Sequence, residues 1–403
     1  AHPGSLAELK EELLFKVSES IVNEMMYGGN LKDMFQSAVL LNLPDWFIDG
    51  AAMYVAKGWS IEMDDYAREL IKTRKPKKLN RLSGEEALLA GQSVWNFIAE
   101  RYGRSSIANI LNYTRIIRNE EKSVTITLGI GFDQLMHEWL MFYTDIGNQV
   151  DQTYVQPPSE AKQTNTKKNR HLENISISPD GSMVAYTINN LGKFEVVLRN
   201  VSSGKEKTVL SGGYRVIDQP YESKLPLIDW ADSTRLGIIH SKRGRMAFTL
   251  YETRSDSRLP RYLDRFEQIR DMGFSSNGRL LVVSGIVKGQ NDLYLLSTLR
   301  DRTKRLTNDV YDDISPMFIP NTNTIIFSSN READTLNVDG SMTDISNNHN
   351  LFAFDLDTTT NVLARITNTV SMDYRPIPVS ESRYLYLSDQ KGIVNLFNYD
   401  LTT

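Results

Sequence analysis

The sequence predicts a multidomain chain, α plus all-β, with a helical first third followed by a β-propeller. Three features lead there. A strand–turn–strand unit recurs five times after about residue 171, apolar residues recur every three or four positions through residues 1–148, and a polar stretch, residues 149–170, divides the two patterns.

The repeated unit is clearest over residues 312–331. Met317, Phe318 and Ile319 run into a turn of Pro320, Asn321, Thr322 and Asn323, and Ile325, Ile326 and Phe327 follow. Proline and asparagine supply the turn, and β-branched and aromatic runs favour strands. Residues 175–186 repeat the pattern around Asp180-Gly181, a strong short-range hairpin signal. Weaker copies surround Ala231-Asp232-Ser233, Ser276-Asn277-Gly278 and Ser380-Glu381-Ser382. The first turn positions, Ser178, Ala231, Ser275, Ile319 and Val379, are 53, 44, 44 and 60 residues apart. A repeat of about 45 residues with four strands is that of a propeller blade. Third strands are expected at residues 195–199, 249–252, 292–297 and 351–355, and closing strands at 207–210, 305–307 and 364–367. The fifth unit reaches only its third strand, residues 395–400, so the five visible units are expected to be an incomplete ring.

Ser178-Pro179-Asp180-Gly181, Arg305-Leu306-Thr307-Asn308 and Phe327-Ser328-Ser329-Asn330-Arg331 resemble the blade motifs of TolB-like β-propellers, and the resemblance spans residues 171–403. It implies a fold rather than an activity, because propellers are platforms. Residues 333–350 interrupt the fourth unit. They are polar, Asp334 and Asp339 among them, and lack the regular spacing of a calcium loop, so they are expected to be a surface loop that meets partners.

The first 148 residues read as helices. Ser5 to Glu8 and Ser83 to Glu86 have the form of capping boxes. Leu6, Leu9, Leu13, Val17, Ile21 and Met25 make one apolar stripe, which Gly28-Gly29 ends. Further helices are expected at residues 31–41, 44–58, 61–73, 84–102, 105–118 and 132–144. Leu43-Pro44-Asp45-Trp46-Phe47-Ile48-Asp49-Gly50-Ala51-Ala52-Met53-Tyr54 resembles the Pro-x-Trp-Leu-x-Glu-Gly-x-Ala-x-Tyr helix of gluzincin metallopeptidases. Gly91-Gln92-Ser93-Val94-Trp95 and Gly129-Ile130-Gly131-Phe132 are similar to later helices of that family. The resemblance implies a zinc site built from His-Glu-x-x-His one helix earlier, plus a Glu at position 49. The sequence departs at every ligand. The matching helix holds no histidine, whether the motif is aligned on residues 15–19 or on 18–22, and position 49 is Asp. Glu19 and Asp49 therefore mark a degenerate metal site, with no metal, no cofactor and no catalytic residue expected. Trp46 and Tyr54 are core candidates first and partner-binding candidates second.

Composition narrows the partners. Of 403 residues, 40% are hydrophobic and 24% charged, and the net charge is −4, so no general attraction to nucleic acid is expected. No apolar run is long enough to span a bilayer. The absence of cysteine removes disulfides, thiolate metal sites and a Cys nucleophile. The start at Ala1-His2-Pro3 suggests a processed chain or part of a longer one. The two resemblances imply a non-catalytic scaffold of the bacterial cell envelope or periplasm, in which a pseudo-peptidase domain and a propeller are expected to meet other envelope proteins or peptides. The alternatives are a zinc metallopeptidase with unconventional ligands, or the propeller part of a larger prolyl-oligopeptidase-type hydrolase.

Overall fold

The structure, a computed structural model, describes residues 4–27, 43–73, 79–154, 171–215, 224–337, 345–346 and 348–401. The chain divides into two compact units, Glu8–Lys162 and a second made of Gln163–Thr403 with Ala1–Ala7.

Among the described residues the first unit carries seven α-helices: α1 (Leu6–Tyr27), α2 (Asp45–Lys57), α3 (Ile61–Thr73), α4 (Gly84–Tyr102), α5 (Ser105–Ile117), α6 (Glu120–Leu128) and α7 (Phe132–Thr153). The centre is α4, buried continuously from Ala90 to Ala99. A helix buried all round must be enclosed by others. Against it lies α2, at a separation set by two glycines. A Cβ on Gly91 would sit 2.0 Å from the carbonyl oxygen of Trp46, and one on Gly50 would sit 2.5 Å from the Gly91 backbone. Three indoles surround this crossing, each with a partner, as buried Trp N–H groups require. Trp46 donates to Asn80 Oδ1 (2.7 Å), Trp95 to the Phe47 carbonyl (2.9 Å) and Trp139 to Ser93 Oγ (3.2 Å).

Several expectations need correcting. The stripe on α1 does not face the core: Leu13, Val17 and Ile21 are more than half exposed, while Ser18, Val22 and Met26 are buried. Ser83 sits at the N-cap of α4, but its side chain makes no capping bond. Helix α6 was not foreseen, because Ser, Val, Thr and Ile weaken its helical signal. Its cap was legible: Asn119 accepts the Lys122 amide at 2.8 Å. Helix α7 runs on to Thr153, beyond the expected 144, so residues 149–153 are helical. The helix expected at 31–41 and most of the polar stretch before residue 171 lie outside the described residues.

The second unit is a five-bladed β-propeller, each blade an antiparallel sheet whose strands pair in chain order. Blade 1 holds β1 (His171–Ile177), β2 (Met183–Asn190), β3 (Lys193–Asn200) and β4 (Glu206–Gly212). Blade 2 holds β5 (Leu227–Trp230), β6 (Arg235–Lys242), β7 (Arg245–Glu252) and β8 (Ser257–Tyr262). Blade 3 holds β9 (Gln268–Phe274), β10 (Leu280–Val287), β11 (Gln290–Ser297) and β12 (Thr303–Arg305). Blade 4 holds β13 (Asp313–Phe318), β14 (Thr324–Ser329), β15 (Asn350–Asp355) and β16 (Ala364–Arg365). Blade 5 has three strands, β17 (Asp373–Pro378), β18 (Arg383–Ser388) and β19 (Asn395–Asp400). All five expected hairpins form. The unexpected strand is β8, an almost wholly exposed edge that tolerates Pro260. Apolar cores fill the spaces between blades 1 and 2, 2 and 3, 3 and 4, and 4 and 5.

The helical crossing yields the first prediction. Gly91→Ala forces a methyl into backbone, so it should destabilise the helical unit by about 3 kcal/mol or more. Chemical unfolding followed by tryptophan fluorescence measures this.

Candidate functional site

Two places in the structure gather chemistry-bearing side chains. The first joins α1 and α2, where the sequence places its degenerate metal site. Lys57 pairs with Glu11 at 2.7 Å, and further along Asp49 lies within electrostatic reach of Glu19 and Lys16. The two helices thus run antiparallel and bring the expected positions together. Burial raises the Asp49 carboxyl above its ordinary range, Asp45 and Glu19 add to the rise, and Lys16 opposes it. Lys16 Nζ donates to Glu19 at 2.8 Å. The ammonium that neutralises these carboxylates is covalent.

The residues present do not fit zinc. Of the aligned ligand positions, Ser18 and Val22 turn inward, Phe15 is an apolar ring, and Glu19 is engaged by Lys16. No imidazole is available there, and tetrahedral zinc sites are built from imidazole or thiolate with at most a minority of carboxylates. His137 lies elsewhere, on a groove of about 560 Å³ lined by Asn80, Arg81, Phe132, Met136 and Leu140. Ser93, in the segment similar to the family's later helix, is wholly buried and donates to the Ala90 carbonyl within its own helix.

The partner-binding candidates fare differently. Trp46 and Tyr54 are 1% and 8% exposed, so both belong to the core of the unit and offer no surface. Asp334 is on the surface but occupied, accepting from Arg365 Nε at 2.7 Å while its carbonyl accepts the Leu363 amide. Asp339 lies outside the described residues.

The second gathering is one that motif reading missed. Asp292, Asp309 and Asp313 bring carboxylate oxygens within 4.8 Å of one another where blades 3 and 4 meet. Arg331, fully buried, bridges two of them: Nη2 donates to both oxygens of Asp313 (2.7 and 2.8 Å) and Nη1 to Asp309 (3.2 Å). Arg305 donates to Asp292. Burial pushes the Asp292 carboxyl up to about 7, against the pull of Arg305. Beside them, burial takes His349 down to about 4, so its imidazole is neutral at physiological pH. Two guanidiniums engage all three aspartates, and burial disfavours the charge of Asp292 and Asp309, so the donor set does not call for a metal. The sequence signal was Arg331 closing its blade motif, two residues beyond a buried strand; an arginine there needs buried acids.

Side chains of one blade also latch onto the backbone of the next. Asp229 accepts the Phe274 amide (3.0 Å) and Asp271 accepts the Ser315 amide (3.0 Å). Ser284 Oγ donates to the Asp313 carbonyl (2.7 Å), and Ser328 Oγ to the Asp373 carbonyl (2.5 Å). Enclosure raises the Asp229 carboxyl to about 6, although its hydrogen bonds favour the charged form.

No family model matches the chain, and no curated protein sequence matches it. Among solved structures the propeller is similar to TolB from Acinetobacter baumannii, with 14% identity and a TM-score of 0.44 over 58% of this chain and 52% of that one. A protein from Agrobacterium tumefaciens assigned as TolB gives 17% and 0.44, covering 58% of this chain and 78% of that one. The propeller domain of the Trilobed protease from Pyrococcus furiosus gives 15% and 0.41, covering 58% and 67%. The chain spans about half the length of the Acinetobacter structure. The fold itself is read from the strand ladders.

Two predictions follow from the propeller's charges. Arg331→Leu strands two buried carboxylates and should cost about 3–5 kcal/mol; adding Asp309→Asn should recover part of the loss, as chemical denaturation would report. For Asp229 the folded carboxyl lies above its unfolded value. The stability it contributes is therefore complete below about pH 4 and lost as pH rises through about 6. That difference corresponds to on the order of 3 kcal/mol. Asp229→Asn cannot titrate, so its stability deficit against the parent should shrink between pH 4 and 7; a constant deficit would exclude the effect.

Proposed function

We propose that the chain is a non-catalytic interaction scaffold of the bacterial cell envelope, in which a metallopeptidase-like helical unit keeps its shape and has lost its metal. The observation that carries this reading is the pairing of Lys16 with Glu19 beside Asp49, where a gluzincin would need imidazoles and a zinc ion. An ammonium neutralises carboxylates but cannot polarise a peptide carbonyl or activate water as zinc does. The partner surfaces are then the groove along α7 and the loops at the propeller's ends, which come from every blade. Envelope placement follows from the TolB-like blade motifs of the sequence, and the partners it suggests are other envelope proteins or peptides.

The reading is tested by rebuilding what was lost. Introducing Ser18→His and Val22→His, or Phe15→His and Glu19→His, each with Asp49→Glu, restores the ligand types of the family in its two possible alignments. One of these variants should take up one zinc per folded chain, measured by atomic emission after dialysis, while the parent takes up none. A parent that purifies with stoichiometric zinc, and loses peptidase activity with a chelator, would overturn the proposal. Affinity capture from envelope extracts should return a defined partner.

A further inference from the structure

The apolar cluster that joins blades 1 and 2 runs along their strands as far as Val196 and Ile238. Beyond them stand Phe194 and His240, their ring centroids 5.8 Å apart, beside a cleft of about 730 Å³. Between blades 2 and 3 the same end is filled by Leu263, Phe266 and Val287. The cleft has the size of a small-molecule site. Its blade 1 wall is built on glycine. A Cβ on Gly212 would sit 2.6 Å from the Phe194 ring, and one on Gly213 would sit 2.1 Å from the Gly192 carbonyl oxygen. The end of β4 thus lies close on β3 and sends no side chain from these positions into the space.

The lining divides by chemistry. Phe194, Leu210, Leu225 and Pro260 are apolar, while Lys242, Arg243 and Arg258, all exposed, bring three cations to the rim. None of the described lining residues is acidic. Lys242 and Arg243 stand at a tight hairpin turn, where Arg243 and Gly244 have φ of 54° and 74°. No ion pair engages either cation among the described residues. Arg258 is held in place across the two blades, its Nε donating to the Val209 carbonyl at 3.0 Å. Asp256 lies 3.7 Å from that guanidinium but pairs more closely with Lys207, at 2.9 Å. His240 supplies wall rather than charge. Burial lowers its pKa, the Ser241 carbonyl opposes the fall, and Lys242 adds to it. Its Nε2 lies 3.2 Å from Thr249 Oγ1.

We propose that this cleft binds a small organic anion, an apolar body carrying one carboxylate or phosphate group, with the body against Phe194, Leu210 and Pro260 and the anionic group toward Lys242, Arg243 and Arg258. Charge decides the class. A cleft rimmed by cations and free of acids repels a cationic ligand, and a neutral one leaves the cations unanswered. Guanidinium and ammonium groups suit carboxylate and phosphate alike, because both present several oxygens to N–H donors. The apolar walls decide the rest, since they gain only from a ligand that carries apolar surface of its own. The site lies within the propeller and does not rest on the reading of the helical unit.

Isothermal titration calorimetry of the 403-residue chain with 2-naphthoate, 2-naphthyl phosphate and 2-naphthylmethylamine varies the charge on one apolar body. At least one anion should bind at a single site, and the amine at least about tenfold more weakly. The tighter of the two anions tells carboxylate from phosphate, and either order supports the site. Lys242→Glu with Arg243→Glu changes exposed positions, so Tm should stay within about 2 °C, while the anion should bind at least about tenfold more weakly. Ser211→Trp puts an indole into the cleft and should abolish binding. Hydrogen exchange of the amides of residues 240–244 should slow when the anion binds to the parent chain. No binding of either anion at about 1 mM, the weak end of specific affinity, would overturn the proposal. So would equal binding of the amine, unchanged affinity in the folded double variant or in Ser211→Trp, or exchange at residues 240–244 that the anion leaves unaltered.

Discussion

A single twisted sheet has two faces and cannot bury either of them alone. That constraint governs the β-propeller. Each blade gains its core from its neighbours, so the unit's stability lies between sheets, in the four apolar clusters that join consecutive blades. Hydrophobic contact fixes that blades pack but hardly fixes their register. The polar latches do that. An aspartate that accepts the amide of the next inner strand, or a serine that donates to its carbonyl, is satisfied in one alignment only. Arg331 and its carboxylates go further, since a buried guanidinium must meet its acids or leave charge uncompensated.

The helical unit solves a different packing problem. Its core is rich in large aromatic side chains, and three buried indoles need both space and hydrogen-bond partners. Gly50 and Gly91 let the backbones of α2 and α4 approach until the rings can surround the crossing instead of separating it. Residues that read as family signatures, Trp46, Gly50, Gly91 and Trp95, are thereby explained as architecture. They would be kept in place by packing whether or not any chemistry remained.

What was legible in the sequence follows the range of each interaction. Hairpins are local, so the turns at Asp180-Gly181 and Asn321 gave their strands directly. Strand β8 was hidden because an exposed edge needs no apolar alternation. The face of α1 was misread because Leu13, Val17 and Ile21 form as good a stripe as Ser18, Val22 and Met26 do a poor one, and periodicity cannot say which stripe has a neighbour. The meeting of Asp292, Asp309, Asp313 and Arg331 depends on two blades docking, and no spacing in the chain announces it. Glu19 and Asp49 come within electrostatic reach because α1 lies against α2, a contact that no local pattern announces.

Carboxylates that meet between α1 and α2 pose an electrostatic problem. Glu19 repels the partly buried Asp49, whose charge burial already disfavours. A divalent ion would offset this at the cost of a full ligand set. Lys16 offsets it with one flexible side chain, three donors and a head that stays in water. Such a pairing suits the packing of α1 on α2. The packing of the two helices is enough to account for the lysine.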